Sequence, residues 1–183
     1  MKIFTFLLIC NFALAIDSKD SSLHIRHGVP PLPTVPKVKI ENFIGKWFLI
    51  SALPRPLFAD CVAQTSEYRI LTKNSISILK TCFQKKGKTS TVKGKAIVVN
   101  TITNSELEVT YENFLNKLIY KIGDYTIFQV DKNYEFVMVG SKDRKLLSIM
   151  SRRPKMPRKV LDQYVYIAKK NGFDVSKLIY SKF

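Results

Sequence analysis

Residues 62–84, VAQTSEYRILTKNSISILKTCFQ, read as two β-rich runs around a turn at Lys73-Asn74. In the first run Val62, Gln64, Ser66 and Tyr68 alternate with Thr65, Glu67 and Arg69. Successive side chains of a strand point to opposite faces, so the charged set faces water and the even-numbered set faces a core. The same test turns Ile76 and Ile78 inward from the second run. A link this short joins antiparallel neighbours.

The pattern extends in both directions. From Phe43 to Arg152 short β-rich runs alternate with turn signals, and no helical period is evident. Strands are expected at 46–53, 62–71, 75–84, 91–100, 106–112, 119–130, 134–140 and 145–152. Leu107, Val109 and Tyr111 face inward from the fifth. Short connections make the order an up-and-down meander, and eight such strands close into a barrel without free edges. After Arg152 the period changes. Val160, Leu161, Tyr164, Val165 and Ala168 share one face of a helix, which Pro157 opens and Asn171-Gly172 stops. This helix needs an apolar support, and the outside of the barrel supplies it. A last run at 176–180 can add a short strand. The expected class is all-β: an eight-stranded antiparallel barrel with one C-terminal helix packed outside.

The N-terminus reads differently. Lys2, an apolar run from Ile3 to Cys10 and Ala13-Leu14-Ala15 have the layout of a secretory signal peptide cleaved after Ala15. The run is too short to cross a bilayer, and no later stretch approaches about 18 apolar residues. A lipoprotein acylated at Cys10 fits poorly, because Ile9 stands where a small residue is wanted. Residues 16–36 form a polar, then proline-rich, extended leader, and 37–183 form the domain. The product is expected to be secreted or periplasmic. Two cysteines then remain, Cys61 and Cys82, and an even count in an exported chain favours a disulfide. It would close a loop of about 22 residues and contribute roughly 3 kcal/mol. Simple pairing about Lys73-Asn74 sets Thr65 opposite Cys82, so Cys61 must reach back through a bulge or the preceding loop. No metal or other cofactor is expected: His24 and His27 lie in the leader, and two cysteines alone do not make a zinc set. The net charge is +16, or +15 once Lys2 leaves with the signal. Such an excess attracts anionic surfaces.

Three motifs now fall in order: Gly45-Lys46-Trp47 at the head of the first strand, Asp131-Lys132-Asn133-Tyr134 between the sixth and seventh, and Arg152 at the end of the eighth. In this the chain resembles the lipocalins, and is most similar to the bacterial lipocalins and the apolipoprotein D group, from Pro30 to about Tyr180. The resemblance implies that Trp47 plugs the closed end and that Arg152 lies across its ring. A guanidinium on an indole gains roughly 0.5–2 kcal/mol. Gly45, Trp47, Asp131, Tyr134 and Arg152 are therefore structural. Strand eight is ambiguous by alternation alone; Leu146, Ser148 and Met150 are set inward because this turns Arg152 towards Trp47.

A barrel of eight strands is wide enough for one small ligand. The candidate lining is Gln64, Ser66, Tyr68, Ile76, Ile78, Val109, Tyr111, Ser148 and Met150, an apolar wall with hydroxyls and an amide that suits an acyl chain with a polar end. The alternative is that large side chains fill the barrel. In the family, loops after the odd-numbered strands surround the mouth. Here they hold Arg55, Lys85, Lys86, Lys88, Lys117, Lys142, Arg144 and Lys145, so the mouth is expected to be basic. The function read from this is binding or transport of a fatty acid or lysophospholipid-like molecule, its anionic head at the mouth. The alternative is a basic exported protein that binds anionic membranes or polyanions with no barrel ligand. Catalysis is not expected, because the interior offers no histidine and no carboxylate pair. Nucleic acid is not expected either, since Phe114 is the only clear stacking aromatic among the basic loops. The sequence leaves the oligomeric state open.

Overall fold

The computed structural model describes residues 30–112 and 119–183. A short helix α1 (Ile40–Phe43) leads into β1 (Gly45–Ala52). There follow β2 (Cys61–Thr72), β3 (Ser75–Gln84), β4 (Thr89–Val98), β5 (Glu106–Glu112), β6 (Ile119–Val130), β7 (Phe136–Gly140) and β8 (Leu147–Ser151). Helix α2 (Arg158–Lys170) and β9 (Ile179–Tyr180) complete the chain. Strands β2 to β8 pair with their neighbours in chain order, all antiparallel; β8 then pairs with β1, which closes on β2. The meander expected from the sequence is the barrel observed, with the helix outside.

Two strands are shorter than alternation suggests, and β4 (Thr89–Val98) keeps its length but lies two residues earlier. β7 begins at Phe136, not 134, because Tyr134 takes a left-handed turn conformation (φ 56°) and Asp131 accepts hydrogen bonds from the Asn133 and Phe136 amides at 2.9 and 2.6 Å. β8 begins at Leu147 because Ser141 to Arg144 form a closed turn, with the Arg144 amide bonded to the Ser141 carbonyl at 3.0 Å. β4 stops at Val98, and Asn100 caps the following turn through the Ile102 and Thr103 amides.

β2 contains two bulges, between Cys61 and Ala63 and between Ile70 and Thr72. A bulge sets two residues of one strand against one of its partner. The first beyond the turn puts Gln64, not Thr65, opposite Cys82; the second puts Cys61 opposite Gln84. Together they bring Cys61 close enough to bond Cys82, with the two Cα atoms 5.3 Å apart.

β1 changes partner halfway. Its pairing with β2 ends at Phe48 and Thr65, and from Ser51 its free edge is taken by β9. The C-terminal residues bridge the gap: the Ser181 amide bonds Ile50 and the Lys182 amide bonds Val62. Phe183 meets Phe48 and Phe83 edge-on. Ala63 and Thr65, outward by alternation, are buried on this part of β2.

α2 ends in a Schellman motif, with Phe173 N–H bonded to Ala168 and Gly172 N–H to Lys169. Tyr164 and Ala168 face Met138, Leu147 and Ile149, the outward residues of β7 and β8. Leu32 of the leader is buried in the same cluster.

The closed end is built on Trp47. Its indole N–H donates to Phe43 O at 2.7 Å, and the Arg152 guanidinium carbon lies 3.8 Å from its ring centroid. Arg152 donates to five carbonyls, those of Asn42 (2.6 Å), Ile44 and Lys46 (2.9 Å each), Tyr134 (3.2 Å) and Phe43 (3.3 Å). One side chain thus satisfies the end of α1 and ties β1 to the turn before β7. Gly45 makes this possible: its φ is +92°, and a Cβ there would stand 3.4 Å from the guanidinium.

Candidate ligand-binding site

At the open end the separation of β1 from β2 leaves a cavity of about 360 Å³ under the loop joining them. Leu49, Arg55, Phe58 and Gln64 line it, with Ile179 and Tyr180 of β9 along one side. This lies at the small end of the range for small-molecule sites, roughly 300–1,000 Å³. The loop contains one 3-10 turn, Pro56–Phe58, which drops the Phe58 ring into the barrel.

Behind Phe58 lies a side chain that alternation alone would have found. Ile76 and Ile78 face inward, so Lys80 and Cys82 share their face, and Lys80 is only 3% exposed. Its ammonium lies 5.1 Å from the Phe58 ring centroid and 5.8 Å from that of Tyr111. Burial, reinforced by the charge of Arg55, holds its pKa well below the ordinary lysine value. Arg55 turns inward too: Nη2 donates to Ser148 Oγ, and its guanidinium carbon lies 5.9 Å from the Phe58 centroid. Tyr111 meets Phe58 edge-on at 6.3 Å. It has room because residue 94 is glycine: a Cβ there would fall 2.5 Å from the tyrosine ring.

Deeper still, Tyr68 and Tyr125 join hydroxyls at 3.2 Å. Burial raises the pKa of Tyr68, Tyr111 and Tyr125, with Arg55 opposing it in each case, so all three stay protonated in neutral water. Phe43 packs on Tyr68 at 5.0 Å and on Trp47 at 5.8 Å. The interior is therefore a small open chamber above, a cationic and aromatic layer in the middle, and a packed floor.

The nine residues expected to line a ligand site, Gln64, Ser66, Tyr68, Ile76, Ile78, Val109, Tyr111, Ser148 and Met150, are all buried. Of these the cavity reaches Gln64 alone, because Phe58 and the tyrosines occupy the space below. The basic mouth divides further. Lys85, Lys86 and Lys88 are exposed at the β3–β4 turn, and none pairs with a carboxylate among the described residues. Lys142 is paired with Glu106 at 2.9 Å, and Lys145 lies 3.5 Å from Asp143. Arg144 donates to the carbonyls of Asn171, Lys142 and Pro30 and lies over Phe173, which pins the leader and the end of α2 to the barrel. These three are fastened to neighbours rather than free around an opening. Lys117 falls outside the described residues. No cluster of three or more metal-binding side chains occurs among the described residues.

Residues 38–182 match the family model of a lipocalin-like domain. The chain is 29% identical over 177 residues to the outer membrane lipoprotein Blc of Vibrio cholerae, covering 96% of this chain and 95% of that protein. It is 26% identical over 151 residues to temperature-induced lipocalin-1 of Arabidopsis thaliana, covering 80% of each. Among solved structures, insecticyanin from the tobacco hornworm Manduca sexta superposes with a TM-score of 0.67 at 15% identity, covering 85% of this chain and 86% of that one. The last likeness concerns the fold.

Proposed function

The chain belongs to the lipocalin family, and on that premise we propose that it binds and carries a single-chain lipid, a fatty acid or lysophospholipid. The barrel is suited to a small hydrophobic or amphipathic ligand, and it is a binder rather than a catalyst. The observation that carries the finer reading is the chamber between β1 and β2, apolar along Leu49 and Ile179 and polar at Arg55 and Gln64. An acyl chain satisfies such a wall without leaving polar groups unpaired, while its head meets the polar side.

Export is part of the proposal. The disulfide between Cys61 and Cys82 supports an oxidising compartment. The Vibrio relative is named an outer membrane lipoprotein; for this chain we propose release after Ala15, without acylation at Cys10. A second reading draws on Lys85, Lys86 and Lys88: with no carboxylate paired to them among the described residues, they dock the protein on an anionic membrane, with or without cargo.

Native mass spectrometry of the delipidated protein tests both. Retention of one hexadecanol, palmitate or palmitoyl-lysophosphatidylcholine per chain is the expected result. Failure to retain any of them, with sedimentation on phosphatidylglycerol vesicles preserved, would replace the first reading by the second.

A further inference from the structure

We propose that Arg55 and Lys80 form a recognition site for one anionic group, a carboxylate or phosphate, of an amphiphile inside the barrel, and that Phe58 is the side chain that yields its place to it. This rests on the barrel reading above and deepens it: the acid is held within the wall, not by the lysines outside.

Two cations converge on a single ring, Lys80 from β3 and Arg55 from the β1–β2 loop. A phenyl face carries only a weak negative potential and stands in poorly for an anion. Neither cation has a carboxylate partner among the described residues. Arg55 spends one nitrogen on Ser148, and Nη1 is buried without an acceptor. Buried donors without acceptors are costly, and a buried amine beside a half-buried guanidinium of like charge is more so. An anion between them would satisfy both at once. Among the described residues the other titratable groups recorded around the two cations are phenols, Tyr111 from β5 beside Lys80, with Tyr68 from β2 and Tyr125 from β6 in the field of Arg55, all held protonated by burial. They offer hydroxyl donors and no competing negative charge.

The geometry also provides a path. Phe58 separates the chamber from Lys80, and its ring sits on a single turn whose backbone bonds are local, Phe58 to Arg55 and Ala59 to Pro56. β1 and β2 are no longer paired at that level, so the turn can shift without breaking a ladder. An anion beside Lys80 favours its charged form and so opposes the lowering of its pKa by burial and by Arg55.

The test compares palmitate, hexadecanol and palmitoyl-lysophosphatidate by isothermal titration on the purified protein and on Lys80→Met and Arg55→Met. Palmitate or lysophosphatidate should bind more tightly than hexadecanol, and the preferred one identifies the acid. Each substitution should weaken the acid about 10–100-fold, as for loss of a charged hydrogen bond, and leave hexadecanol within about threefold. A readout without variants uses carboxyl-labelled palmitate, whose 13C signal should stay at its ionised position well below the pH at which free palmitate protonates. Equal affinity for acid and alcohol, equal weakening of both, or a bound carboxyl that titrates as in water overturns the site while leaving a lipid-binding barrel intact. Uptake of none of the three overturns that barrel as well.

Discussion

Both ends of the barrel set a guanidinium against an aromatic ring, yet the two arrangements differ in what surrounds the charge. At the closed end Arg152 lies 3.8 Å from Trp47 and donates to five carbonyls. At the open end Arg55 lies 5.9 Å from Phe58, holds one hydroxyl and leaves a buried nitrogen without an acceptor. Lys80 adds a fully buried amine beside this half-buried guanidinium. A cation with its hydrogen bonds complete is a fastening. A pair of cations without a carboxylate partner among the described residues detracts from folding, and an anion between them would repair that deficit.

The largest expected effect breaks the closed end. Arg152→Ala should lower stability by about 4 kcal/mol, since five carbonyls and the indole lose one shared partner. Urea unfolding measures it, and a loss below about 1 kcal/mol would mean that water replaces the guanidinium without penalty. Removing the disulfide by Cys61→Ser with Cys82→Ser should cost about 3 kcal/mol. Its midpoint should match that of the reduced native protein; a double variant as stable as the oxidised chain would show the bulges alone to be sufficient.

The open end should respond with the opposite sign. Lys80→Met should raise stability at neutral pH by about 1 kcal/mol, because it removes a buried ammonium that has no carboxylate partner among the described residues. The pH dependence follows from linkage. Native Lys80 has a pKa below its unfolded value of 10.5, so between the two the unfolded chain binds more protons. Stability contributed by this group therefore rises with pH through that window. The gap between wild type and Lys80→Met should narrow as pH approaches 10.5, and a gap independent of pH would show that Lys80 keeps its ordinary pKa in the folded protein. Taking the difference cancels the buried tyrosines, whose raised folded pKa makes their contribution fall only as pH rises past the unfolded value of 10.0.

The smallest effect concerns an exposed pair. Lys142→Ala removes the partner that, with Asn100, holds the Glu106 carboxyl below its usual pKa. The lysine is half exposed, so the cost should be about 0.5 kcal/mol and vanish in high salt. A loss that survives 1 M salt would point to packing rather than charge.

The barrel was legible because alternation is local. The parity of Gln64, Ser66 and Tyr68, repeated along eight runs, needs no knowledge of what each strand will pair with. The motif residues around Trp47 were equally plain, since they lie at fixed places in that order. What escaped was decided elsewhere. Lys80 has the parity of Ile76 and Ile78, but the rule that charges face water works against parity at that residue, and here parity prevails. Arg55 sits in a loop, where no period indicates a direction. Phe58 is one aromatic among twelve phenylalanines, and only the turn at Pro56 sends it inward. Lys142, Arg144 and Lys145 lie in an odd-numbered connection as expected, yet carboxylates and carbonyls beside them, some distant in sequence, claim their charges. The bulges of β2 were anticipated only through the cysteines, which could not meet without one.

The seam between β1 and β8 bears on how fast the molecule forms. Every other pairing of the main barrel save β1 with β2 joins strands separated by only a few residues of sequence, but Phe48 must find Ser151 across nearly the whole domain. Closing so long a loop is entropically slow, and rates fall as contacts become less local. Until it closes, β1 and β8 remain strand edges open to other chains. The yield of native protein should therefore depend on concentration during refolding, through a race between that one encounter and association.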